Sequence, residues 1–174
     1  MGDTLRLRWK LLTLPVLLGT CASLLHSAPK QPQTIADKVV IHKSVRQLEL
    51  YSAGKLLKSY KVSLGPTPLG AKACEGDGKT PEGAYRIVNR NSRSSFHKSL
   101  RVSYPNQQDR ARAAKLGCSP GGDIMIHGLP NGYGWVGAGH RAKDWTAGCI
   151  AVTDAEIEEI WNAVPDGTIV EIRS

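Results

Sequence analysis

The chain has 174 residues, enough to bury one hydrophobic core, and its 41% hydrophobic and 22% charged residues include no low-complexity tract and no repeat. The 18 glycines and 10 prolines argue for many turns and against a helical bundle. A formal charge of +8 suits nucleic acid, anionic lipid or an acidic wall polymer, yet the cations are scattered, without a zinc finger, an RNA-binding aromatic motif or a dense basic stripe, so nucleic acid is not an expected partner.

Residues 1–28 read as a signal peptide or membrane-targeting segment. Arg6, Arg8 and Lys10 precede an apolar run from Leu11 to Leu25 that is short for a spanning helix and suits a secretory core. Cleavage near Ala22 or Ala28 would release an exported domain, and an uncleaved segment would anchor it. Cys21 offers a lipidation site, though Thr20 before it fits a lipidation box poorly. The expected location is the periplasm or cell envelope, with membrane association through this segment as the alternative. Residues 29–36, rich in Pro, Gln and Ala, read as a linker, and residues 37–174 as one domain.

That domain opens with period-two alternation at Val39 and Ile41, then at Leu48 and Leu50. After a turn at Ala53–Gly54 come Leu57, Tyr60, Val62 and Leu64, so the stretch predicts a β-meander ended by Gly65 and Pro66. A turn-rich segment leads into a strand over Ala84–Val88, then a polar segment, then a strand through Val102 and Tyr104. The run QQDRARAAKLG predicts a short helix stopped near Gly117. A short strand over Asp123–Ile126 reaches His127, and residues 128–148 read as an extended loop with Tyr133, Trp135 and Trp145. Thr153 and Glu156 spell a capping box, followed by Ile157, Ile160, Trp161 and Val164 on one helix face. Ile169, Val170 and Ile172 make a last strand. The fold class is mainly β, a sandwich or mixed sheet, with two short helices.

Beyond the targeting segment the cysteines are Cys74, Cys118 and Cys149. An odd number in an oxidising compartment permits one disulfide and one free thiol. Cys74 with Cys118 is the natural pair if Cys149 is reactive, and the alternative is that both are unpaired. Cys149 follows Gly148, which allows close backbone approach, and precedes a strand. The N–H groups of Gly148 and Cys149 are candidate donors to an oxyanion. His127 ends a strand in IMIHG and is the best partner base; the carbonyl of Gly128 or of a loop residue could orient its ring. His140 is a rival base or, with Arg141, a substrate ligand. Asp144 is expected to pair with Arg141 or Lys143. Tyr133 and Trp135 are candidate cleft residues. The Cys and His positions lack the close paired spacing of a zinc site, and no phosphate-binding or dinucleotide motif occurs, so no metal or cofactor is expected.

The combination of IMIHG with TAGCIAVTD resembles the catalytic domain of the L,D-transpeptidase family, and the resemblance extends through KTPEGAYRI over about residues 37–172. It implies a compact, mostly β catalytic domain in which Cys149 attacks a peptidoglycan stem peptide to form a thioester. An amine on another stem, or on an envelope protein, then resolves that thioester. His127 would be the base, the Gly128 carbonyl its orienter, the Gly148–Cys149 backbone the oxyanion donor, and Thr146 a residue that orients the loop at the substrate site. Two positions depart from the pattern: Ala147 stands where the family has histidine, and Ala151 where it commonly has arginine. Arg141, His140 or Lys143 are the candidates to take over substrate binding. Hydrolysis of the same thioester by water, and a non-catalytic wall-binding module, are the competing readings.

Overall fold

The computed structural model describes residues 34–174 together with Gly2. The segment expected to act in targeting, Cys21 and the start of the expected linker lie outside the described residues. Ala36 is already buried, and its N–H donates to the Ala163 carbonyl. Among the described residues no helix is long and apolar enough to cross a membrane.

The strands are β1 (Lys38–His42), β2 (Gln47–Ser52), β3 (Lys55–Lys61), β4 (Gly83–Ser94), β5 (His97–Val102), β6 (Met125–His127), β7 (Ile150–Ala151) and β8 (Ile169–Arg173). They form one mixed eight-stranded sheet in the order β3-β2-β1-β8-β4-β5-β6-β7, one of the two arrangements expected. The C-terminal β8 is inserted between β1, to which it runs parallel, and β4, to which it runs antiparallel. A central position explains why Val39, Val40 and Ile41 of β1 are all buried rather than alternating. Ala53 and Gly54, at φ 48° and 76°, make the two-residue turn between β2 and β3.

The polar segment after Val88 is the outer half of a long β4–β5 hairpin, with register shifts after Ile87 and Asn91. Its side chains mostly face water, which removes the apolar alternation a reader would look for. Beyond β3, Ser63 pairs with Ala151 of β7, each N–H donating to the other's carbonyl at 2.9 Å, so the two ends of the sheet meet.

Among the described residues there are three short helices. In α1 (Gln107–Lys115) the Asn106 side chain accepts from Asp109 N, and the Asp109 carboxylate returns to Asn106 N. In α2 (Asp154–Ala163), Thr153 and Glu156 form the expected capping box. Ile157 and Ile160 are fully buried where α2 packs on β5, each stabilising the fold by roughly 1.5–3 kcal/mol. The third is a 3₁₀ segment, Gly134–Ala142, broken at Gly137, inside the stretch expected to be an extended loop.

Residues 65–82 form a long loop with its own anchors. Lys43 is 0% exposed, and its ammonium donates to the carbonyls of Gly70 and Thr80 and to Glu82. Asp77 accepts from Lys72 and from the N–H groups of Ala73, Cys74 and Lys79. Burial alone would raise the Asp77 pKa, but these donors outweigh it and hold the carboxyl at about 2. Cys74 is disulfide-bonded to Cys118, which ties the loop to the end of α1.

Candidate active site

The site forms where two very short strands run side by side. β6 pairs in parallel with β7, with Ile126 opposite Ile150 and His127 opposite Ala151. Ile126 and Ile150 point into the core. The period of two therefore turns His127 and Ala151 to the other face, and Cys149, two residues before Ala151, leads into that same face. A separation of 22 residues in sequence is closed by one strand pairing.

Gly148 has φ 122°, and a Cβ there would lie 2.5 Å from the Lys79 carbonyl oxygen. Both the dihedral and the close approach require glycine. Thr146 is buried, and its hydroxyl serves the loop: Oγ1 donates to the Cys149 carbonyl at 2.8 Å and accepts the Gly148 N–H at 3.1 Å. Thr146 thus ties together the turn that leads to Cys149. Of the two candidate oxyanion donors, Gly148 N–H is already committed; Cys149 N–H has no acceptor among the described residues.

His127 is only 4% exposed. Its Nδ1 lies 2.7 Å from the Gly128 carbonyl oxygen. A carbonyl can only accept, so in the neutral ring Nδ1 carries the hydrogen and Nε2 the lone pair. Among the described residues Nε2 has no hydrogen-bond partner, and it is not sealed from solvent. Phe96 packs on the ring at 4.5 Å between centroids, and Trp145 meets it edge-on at 5.9 Å. Burial pushes the His127 pKa below its ordinary value; the bond to Gly128 opposes this and loses.

Among the described residues Cys149 is the free cysteine, and it is partly exposed. Burial pushes its thiol pKa up. The Met125 N–H and the Lys72 ammonium favour the thiolate, the charge of Asp123 disfavours it, and the balance stays upward. Burial thus pushes both groups toward their neutral forms.

The other expected residues fall in different places. The His140 side chain is turned inward, 8% exposed, with Nδ1 near Ser63 Oγ (3.1 Å) and Trp145 Nε1 (3.4 Å) and with Nε2 sealed and unpartnered. Arg141 is not a free cation: it pairs with Glu156 of α2 at 2.5 Å. Asp144 pairs with Arg46, not with Arg141 or Lys143, and also accepts the Leu64 N–H. Lys143 has no ion-pair partner among the described residues. Trp135 is 82% exposed, away from any packing role. Tyr133 lines a mainly apolar cavity of about 300 Å³ with Leu129, Pro130, Val136 and Trp145. Ala147 is exposed, while Ala151 is fully enclosed opposite Ser63.

Ser63, Phe96 and Asp123 were not marked by sequence reasoning. Ser63 matters only once the sheet ends meet. Phe96, the one phenylalanine of the chain, sits in a polar hairpin that offered no sign of a half-buried ring packed on His127.

Comparison with known proteins bears on this arrangement. The YkuD family, described as the L,D-transpeptidase catalytic domain, matches residues 36–172. YafK of Escherichia coli (strain K12), which its name marks as an unproven L,D-transpeptidase, is 30% identical over 157 residues, covering 85% of this chain and 56% of its own length. The helical cell shape determining protein Pgp2 of Campylobacter jejuni superposes with a TM-score of 0.61 at 26% identity, over 80% of this chain and 48% of that one. An L,D-transpeptidase from Mycobacterium smegmatis shares the fold, with a TM-score of 0.53 at 13% identity, over 80% of this chain and 59% of that one. The chain spans about half the length of the relatives it matches.

Proposed function

The chain belongs to the YkuD family of L,D-transpeptidase catalytic domains, and from that premise we propose that it is an exported cysteine acyltransferase of the cell envelope acting on peptidoglycan stem peptides. In this reading residues 37–174 are the catalytic domain, Cys149 is the nucleophile and His127 the general base. The observation that carries it is the commitment of His127 Nδ1 to the Gly128 carbonyl, which leaves Nε2 unprotonated and open to solvent on the sheet face that Cys149 enters. His140, with Nε2 sealed, cannot offer the same atom without rearrangement.

The chemistry follows from two neutral partners. Nε2 takes the thiol proton as sulfur attacks the peptide carbonyl carbon. Charge develops on the carbonyl oxygen, where the uncommitted Cys149 N–H can donate. Collapse breaks the C–N bond, and the departing amine receives the proton from His127. The resulting thioester is attacked by a second amine, whose proton passes to Nε2 and then to the departing sulfur. The product is an L,D cross-link or an attached envelope protein, depending on which amine enters.

A second reading, hydrolysis, is favoured by Ala147 and Ala151, neither of which supplies a polar side chain to hold an acceptor. Water resolves the same thioester with the same residues. Incubating the protein with muropeptides should give an adduct at Cys149 by intact mass, absent in Cys149→Ala. Products formed with and without an acceptor amine separate transfer from cleavage. If neither adduct nor product forms across varied donors, the domain is a wall-binding module served by Tyr133 and Trp135.

A further inference from the structure

We infer that His140 is a positioning residue that holds the imidazole of His127 in place through Trp145, and that it transfers no proton itself. This rests on the assignment of His127 as the base.

A closed chain of contacts runs through the molecule. Ser63 exchanges two backbone hydrogen bonds with Ala151, the residue paired with His127 across β6 and β7. The Ser63 hydroxyl, on the segment that follows β3, lies 3.1 Å from His140 Nδ1 and 3.2 Å from the His140 carbonyl oxygen, and its single hydrogen serves one of these acceptors at a time. The Trp145 indole N–H then meets the same Nδ1 at 3.4 Å. Finally the Trp145 ring packs edge-on against His127 at 5.9 Å, and Phe96, which stacks on Trp145 at 6.4 Å, packs on the same imidazole at 4.5 Å.

The hydrogen count assigns roles. An indole nitrogen only donates, so His140 Nδ1 accepts, and its hydrogen sits on Nε2. That Nε2 is buried without a partner. A ring whose one accessible function is to accept from Trp145 and Ser63 is built to hold, and an orphaned buried N–H is tolerated because the neighbouring contacts fix the ring. The Gly128 carbonyl sets which His127 nitrogen is protonated; Trp145 and Phe96 set the plane of the ring. Without Trp145 held by His140, rotation of the imidazole would move Nε2 away from the thiol.

The test separates the two nitrogens of His140. His140→Asn places an amide oxygen near the position of Nδ1 and can accept from Trp145 and Ser63; His140→Gln reaches instead toward Nε2. Trp145→Phe keeps a ring and removes the N–H. We expect His140→Asn to stay within about twofold of the parent in kcat. His140→Gln and Trp145→Phe should lose about tenfold to a hundredfold in kcat, as misplacement of a reacting group does, with KM within about twofold. Nitrogen-15 NMR of His127 should show one tautomer in the parent and in His140→Asn, and a mixture in the other two. Equal losses in His140→Asn and His140→Gln, or an unchanged His127 tautomer in Trp145→Phe, would overturn the assignment. Ser63→Ala, which keeps both backbone bonds to Ala151, gives the same reading if His140→Gln does not fold. The NMR readout needs no substrate, so a parent protein that turns over no muropeptide refutes the proposed activity while the positioning role is still decided.

Discussion

The Cys149 sulfur lies 3.4 Å from the backbone carbonyl oxygen of Asp123, a residue held at φ 53°. Aspartate is among the few residues that tolerate this left-handed backbone, and the conformation aims its carbonyl at the thiol. The resting S–H thus has an acceptor other than His127. Asp123→Gly keeps the dihedral and removes a carboxylate that disfavours the thiolate. Because that side chain is well exposed and paired with Arg101, the effect should be small. Iodoacetamide labelling of Cys149 at fixed pH should accelerate by about twofold, and slower labelling would count against this electrostatic role.

The acid side of the pH–rate profile reports His127 if it must be neutral to act. Burial holds its pKa below the ordinary 6.5, so the active neutral form persists as pH falls past that value, and the acidic limb should lie below it. The same sign applies to stability. A histidine buried neutral stabilises the fold above its unfolded pKa, and that contribution disappears as pH falls through the lower region. An acidic limb at or above 6.5 would reject a neutral resting base.

Cys74 and Cys118 close 44 residues of chain, a loop whose constraint in the unfolded state is worth about 4 kcal/mol. The bridge also joins the two segments that wall the thiol: Lys79 against Gly148 on one side, Asp123 and Met125 on the other. Replacing both cysteines with serine should lower stability by roughly that amount in urea. Loosened walls relieve the burial that pushes the Cys149 thiol up. Labelling should therefore quicken while turnover slows; a parallel fall in both would mean simple unfolding.

Lys43 is the buried peg of the same loop. Lys43→Met would leave the Gly70 and Thr80 carbonyls and Glu82 without their donor, costing about 3 kcal/mol. The urea midpoint should fall with an unchanged slope. If it does not move, the loop has found other partners and the peg is dispensable.

Strand placement was largely legible because the inner strands carry period-two apolar residues, and the α2 capping box was readable from Thr153 and Glu156 alone. The outer half of β4 was not, since strands that face water on most positions carry no hydrophobic signal. The 3₁₀ segment hid in glycines that suggested an irregular loop. At the site, His127 and Cys149 stand out through the glycines that flank them. The partners of Arg141 and Asp144 do not, because each is supplied by a residue brought close only by folding, Glu156 and Arg46. Charge alone could not say that Arg141 pairs with Glu156 of α2.

The placement of β8 governs the order in which this molecule can assemble. β1–β3 and β4–β7 touch through strand pairing only across β8 and the Ser63–Ala151 bridge. Until Ile169–Arg173 have been synthesised and have entered the gap, the sheet exists as two incomplete ribbons with open edges. Closure of the sheet thus waits on β8, and a chain lacking that strand would present both edges to whatever it meets.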